Sequence, residues 1–141
     1  MHQLTEHFSL EELTRSDTAT ARGLVNDPST AVVSNLQHLC QEVLEPLRQH
    51  VGVPVRINSG YRSREVNKAV GGVANSQHLT GEAADIRIPD IETGLEWLLW
   101  IHSHCLFDQL LFETNGHSYW IHVSCCRNLK KNRFQVKFVR K

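Results

Sequence analysis

Asn75-Ser76-Gln77-His78-Leu79-Thr80-Gly81-Glu82-Ala83-Ala84-Asp85 sets an imidazole and a carboxylate seven residues apart, with a glycine between them, at the entry to a strand. In that strand Ala84, Ile86 and Ile88 share one face, while Asp85 and Arg87 share the other. Asp85 therefore faces away from the apolar side. Histidine and carboxylate both ligate zinc, which takes tetrahedral N, O or S donors, so the stretch reads as part of a metal site that needs a third ligand. His122, in Tyr119-Trp120-Ile121-His122-Val123-Ser124, is the leading candidate. Two histidines and one acid leave a fourth position for water or substrate. Calcium, which wants six to eight oxygens, and iron, for which no other residue suggests redox work, are weaker readings.

Outward from this stretch, the elements alternate. Ser9 with Glu12 three residues on is a capping box that opens a short helix to about Thr14, with Phe8 placed as a staple. The polar segment from Ser16 to Asn26 reads as a surface connection. Asp27-Pro28 reads as an N-cap followed by proline at the first helical position, opening a long helix to about His50 whose stripe is Val32, Leu36, Leu39 or Cys40, Val43 and Leu47. Pro46 is expected to kink it or start a second segment. The alternation of Val53, Val55 and Ile57 predicts a strand, and Ser63 caps a helix from Arg64 to Val70 that stops at Gly71-Gly72.

Beyond Asp85, Thr93 with Glu96 suggests a second capping box, for an apolar helix through Trp97 and Ile101. Strands are predicted from Phe107 to Glu113 and from Trp120 to Ser124, joined across Asn115-Gly116. A last strand spans Phe134 to Val139. Two or three helices around a mostly antiparallel central sheet make an α+β domain. At 141 residues, one domain covering the whole chain, with its core at about 26–139, is the expectation.

Composition excludes more than it identifies. Apolar residues at 40% and charged residues at 21% fit a globular chain. Formal net charge is zero, and the basic segment from Arg127 to Lys141 alternates with Phe134, Val136 and Phe138, so it reads as a protected edge strand and not as a nucleic-acid face. No apolar run is long enough to span a membrane. The N-terminus lacks a basic segment followed by an apolar one, so the chain is expected to be made in the cytoplasm without a leader. Cys40, Cys105, Cys125 and Cys126 show no metal-knuckle spacing; Cys125 and Cys126 should face opposite sides of a strand, leaving one exposed.

Three motifs in register carry a family resemblance: Ser59-Gly60-Tyr61-Arg62-Ser63, then Ser76-x-His78-x-x-Gly81-x-Ala83-x-Asp85, then Trp120-Ile121-His122-Val123. Together they resemble the zinc D-alanyl-D-alanine carboxypeptidase family, which includes the L-alanyl-D-glutamate endopeptidases of phage endolysins. The resemblance implies zinc held by His78, Asp85 and His122, in the compact α+β fold shared with the hedgehog signalling domain. It also implies Arg62 at the active site, where a guanidinium can clamp a carboxylate or steady an oxyanion; the alternative is that Arg62 holds its own loop. Ser76 and Gln77 are read as substrate-binding or loop-ordering residues, Tyr61 and Trp120 as cleft aromatics, and Gly81 as sterically required.

Where many members of the family place an acid, three residues before the last histidine, this chain has Tyr119. Glu113 is the expected replacement as catalytic base, with His117 next, provided that the turn after it is wide enough to let it lean toward the metal. The implied activity is hydrolysis of D-amino-acid-containing bonds in peptidoglycan stem peptides, by a monomer acting in the cell wall after phage-type release or as a virion component. The alternative is a non-catalytic peptidoglycan- or protein-binding module, such as a phage structural component, that retains the zinc site.

Overall fold

The computed structural model describes residues 2–141. Helix α1 (Leu10–Thr14) begins at Ser9, whose hydroxyl accepts the Glu12 N–H, and Phe8 before it is buried. Within the segment read as a surface connection lies a second helix, α2 (Asp17–Arg22). Ser16 caps it and Gly23, in the left-handed conformation, ends it. Among its residues only Ala19 is buried, so no apolar stripe marked it.

Helix α3 (Thr30–Leu39) is capped by Ser29 and not by Asp27, because the Ser29 hydroxyl takes the Val32 N–H and leaves Pro28 outside the helix. It runs through one wide turn, Cys40–Leu44, into α4 (Glu45–Val51). In that turn the Glu45 N–H reaches back to the Cys40 carbonyl, five residues away. The loosened ladder lies where the ring of Pro46 would press on the preceding turn, so the helix carries on instead of breaking. Helix α5 (Arg64–Ala69) starts from its Ser63 cap as expected. Helix α6 (Ile91–His104) starts at Asp90 and not at Thr93, since Asp90 Oδ1 accepts the Thr93 N–H at 2.7 Å.

Five strands form one sheet in the order β1 (Ile57–Ser59), β2 (Ala83–Arg87), β4 (Tyr119–Ser124), β3 (Gln109–Thr114), β5 (Gln135–Arg140). All neighbours are antiparallel except β3 and β5, which run parallel. The strand expected from Val53 begins only at Ile57, where β2 supplies partners; Val53 itself is exposed. The β3–β4 connection is wider than a two-residue turn. Asn115 Oδ1 accepts the N–H groups of both His117 and Ser118, and Gly116 sits at φ 90°.

One face of the sheet is covered by the helices. Leu36, Leu39, Val43, Leu44 and Leu47 from α3, the wide turn and α4 are fully buried in a cluster with Ile86, Leu110, Ile121 and Val123. Burying each such side chain contributes about 1.5–3 kcal/mol, which fixes the strand register and turns Asp85, Leu111, Glu113, Trp120 and His122 to the opposite face. Cys125 and Cys126 are both buried, against the expectation that one would be exposed. They follow the end of β4, where Asn132 folds back to accept the Cys126 N–H at 2.9 Å. Among the described residues, no helix is long and apolar enough to cross a membrane.

Candidate metal centre and cleft

Three elements bring His78, Asp85 and His122 together. Asp85 and His122 are direct cross-strand partners on β2 and β4. His78 comes from a tight helical turn, Gln77–Thr80, that leads into β2. Ser76 accepts the His78 N–H at its start, and Gly81 ends it at φ 77°, where a Cβ would lie 2.8 Å from the Val32 carbonyl oxygen. Only glycine suits that position without strain.

The three side chains offer donor atoms that all lie within 4.8 Å of one another. His122 Nδ1 is 3.1 Å from Asp85 Oδ1, and His78 Nε2 is 3.3 Å from the same oxygen. The imidazole rings meet edge to face with centroids 5.1 Å apart. All three side chains are largely withdrawn from solvent, at 3%, 13% and 11% exposure for His78, Asp85 and His122. Burial pushes the Asp85 carboxyl upward, but the two histidines outweigh it and hold Asp85 well below the usual carboxylate range.

The chemistry of this set fits zinc. His78 Nδ1 donates to the Gly60 carbonyl oxygen at 2.7 Å, which fixes the proton on Nδ1 and leaves the Nε2 lone pair turned toward Asp85. Asp85 Oδ2 is held by Arg62 Nη2 at 3.3 Å, so the carboxylate keeps its other oxygen, Oδ1, for the histidine side. Two imidazoles and one carboxylate, with room for a fourth partner, match an open zinc site. A second group, Glu6, His7 and Glu45, also clusters, but His7 and Gln49 already donate to Glu45 and the group lies at the surface.

The triad opens into a cleft of about 720 Å³. Arg62, Ser76, Gln77, Glu113, Trp120, Arg133 and Lys141 are among its lining residues. Glu113 pairs with Trp120 across β3 and β4, next to the pair Leu111 and His122, and so shares their face. Its side chain is 3% exposed, and its carboxylate accepts from Trp120 Nε1 at 2.9 Å, with Lys141 Nζ at 3.4 Å from the other oxygen. Tyr119 pairs with Thr114 on the opposite face, is half exposed and packs near Phe112. His117 lies in the exposed turn.

Arg62 spends each of its three nitrogens inside the site, on Ser59 Oγ, Asn67 Oδ1 and Asp85 Oδ2. Its guanidinium thereby orients Asp85 and ties the loop to α5. Ser76 orders the histidine turn, and Gln77 Nε2 donates to Asp108 Oδ2 at 3.0 Å. Tyr61, expected at the cleft, packs partly buried against the hydrophobic core instead, its backbone N–H bonded to the Leu13 carbonyl.

Sequence reasoning passed over Asp108, Asn67 and Lys141. Asp108 is buried and receives Arg133 through its backbone N–H, Nε and Nη2, at 2.8, 2.9 and 2.8 Å. It thus ties the histidine turn, through Gln77, to the chain entering β5. An aspartate inside the strand predicted from Phe107 gave no sign of this, because its partners lie 31 and 25 residues away.

The family model described as Peptidase M15 matches residues 6–124. The chain belongs to the M15 peptidase family. Over 81 residues it is also 35% identical to a zinc D-Ala-D-Ala carboxypeptidase of Streptomyces albus G. That match covers 57% of this chain and 31% of the relative, so the chain corresponds to under a third of that protein. The family and this relative imply zinc, and the His-Asp-His group is a set of donors that suits it.

Proposed function

We propose that the M15 chain cuts peptide bonds next to D-amino acids in peptidoglycan stem peptides, with His78, Asp85 and His122 holding zinc and Glu113 as the catalytic base. The observation that carries this reading is the convergence of the three donors beside a buried carboxylate on the same sheet face. Zinc, when bound, lowers the pKa of a water and polarises the scissile carbonyl.

The protein's own residues supply the rest. Gly60 fixes the His78 tautomer, and Arg62 fixes the rotamer of Asp85. Trp120 holds one oxygen of Glu113, and Oε2, loosely paired with Lys141, takes a proton from the attacking water and returns it to the leaving amine. The cleft walls orient the peptide, with the exposed edge of Trp120 available for apolar contact.

A non-catalytic reading drew its strength from Tyr119, which occupies the place where an acid was expected. Tyr119 faces away from the donors whereas Glu113 faces the cleft, which favours the enzyme. The test is mass spectrometry of purified peptidoglycan fragments after incubation with zinc-loaded protein and with His122→Ala. New products from the wild type alone support the reading. Identical patterns from the two proteins refute it.

A further inference from the structure

Three fixed cations line the cleft: Arg62, Arg133 and Lys141. Two are already committed. Arg62 has a partner on every nitrogen, and Arg133 is bound to Asp108 through both Nε and Nη2. Lys141 is different. Its side chain is 56% exposed, and its ammonium rests on Glu113 Oε2 at a loose 3.4 Å. An ammonium has three N–H donors, so two remain to be directed into the cleft.

The position of Lys141 is defined by the strand before it. β5 runs parallel to β3 with Lys137 opposite Leu111 and Val139 opposite Glu113, so Lys137, Val139 and Lys141 alternate onto the cleft face. The Lys141 N–H donates to the Thr114 carbonyl oxygen at 2.8 Å, which holds its backbone at the end of the sheet. The family match ends at Ser124, so this wall belongs to a part of the chain beyond the matched residues.

We infer that Lys141 is the carboxylate-binding residue of the cleft: its ammonium takes a free carboxylate of the peptide substrate, the role for which Arg62 is already spent. This rests on the peptidase reading above and names the substrate class, peptides with an unblocked carboxylate close to the scissile bond. A carboxylate drawing the ammonium toward itself also frees Glu113 Oε2 for the water.

The test uses the zinc-loaded full chain with two peptides, one ending in D-Ala-D-Ala and one containing L-Ala-D-Glu, each as free acid and as amide. Wild type is expected to favour the acid by about thirtyfold in kcat/KM, mostly through KM, as for loss of a hydrogen bond to a charged group. Lys141→Met should shrink that preference to about threefold or less, while Lys131→Met, at an exposed position outside the cleft, keeps it. An unchanged acid-to-amide ratio in Lys141→Met, or no preference in the wild type, overturns the assignment of Lys141 and leaves the peptidase reading standing. Hydrolysis of none of the four peptides by the wild type overturns that reading, and this inference with it.

Discussion

The Gly60 carbonyl oxygen accepts the Nδ1 proton of His78 at 2.7 Å, and Gly60 itself stands so close to Leu13 that a Cβ there would lie 2.3 Å from the Leu13 carbonyl oxygen. The contact couples the end of helix α1 to the tautomer of a histidine in the proposed metal site. Gly60→Ala must push the β1 end away from Leu13 and turn the acceptor off His78. The expected outcome is a fall in zinc affinity of about 10–100-fold, read by competition with a chromogenic chelator while circular dichroism shows the helices retained. Unchanged affinity would remove Gly60 from the support of the metal.

Glu113 and Trp120 separate chemistry from metal binding. Glu113→Gln should keep zinc and lose about 10²–10⁴-fold in kcat. Trp120→Phe removes only the donor on Oε1 and should cost about tenfold, the worth of one hydrogen bond to a charged group. Steady-state rates beside elemental analysis check both. Full activity in Glu113→Gln would move the base elsewhere.

Acid stability depends on Asp108. The hydrogen bond from Arg133 holds its carboxyl below the ordinary value against the upward push of burial, and Gln77 adds to the effect. A folded-state pKa below the unfolded one means stability that is complete above the unfolded value and lost as pH falls through the folded value. Urea midpoints should therefore drop between about pH 5 and pH 2, and Asp108→Asn should flatten that part of the curve. Glu45, lowered to about 2 by the donors on its carboxylate despite burial, contributes in the same direction. A wild-type slope in Asp108→Asn would assign the acid loss to other carboxylates.

Gly81 combines a left-handed backbone with a close neighbour. Gly81→Ala brings a Cβ to 2.8 Å from the Val32 carbonyl oxygen at φ 77° and should destabilise by about 1–3 kcal/mol, measured by urea unfolding. Full stability would mean that the turn before β2 relaxes freely.

The site was legible where chemistry and periodicity coincide. Asp85 and His122 sit at polar positions of otherwise apolar strands, His78 sits in the polar glycine-containing stretch before β2, and Glu113, expected as the base, shares the face of Trp120. Helix α2 was not legible because it buries only Ala19. Two helix starts were displaced, at Ser29 and Asp90, because neighbouring residues compete for the same N–H groups and only the chain path decides which oxygen reaches them. The commitments of Arg62 and Asp108 depend on partners distant in sequence, and the parallel pairing of β5 with β3 leaves no periodic trace. Lys141 therefore read as part of a solvated basic edge, although it lines the cleft.

Zinc content tests the central claim most directly. Protein purified without a metal-affinity column, loaded with zinc and desalted, should carry close to one zinc per chain by elemental analysis, since the described residues offer one buried set of three donors. His78→Ala, Asp85→Ala and His122→Ala should each lose it while remaining folded. Stoichiometric zinc in all three variants would contradict the account.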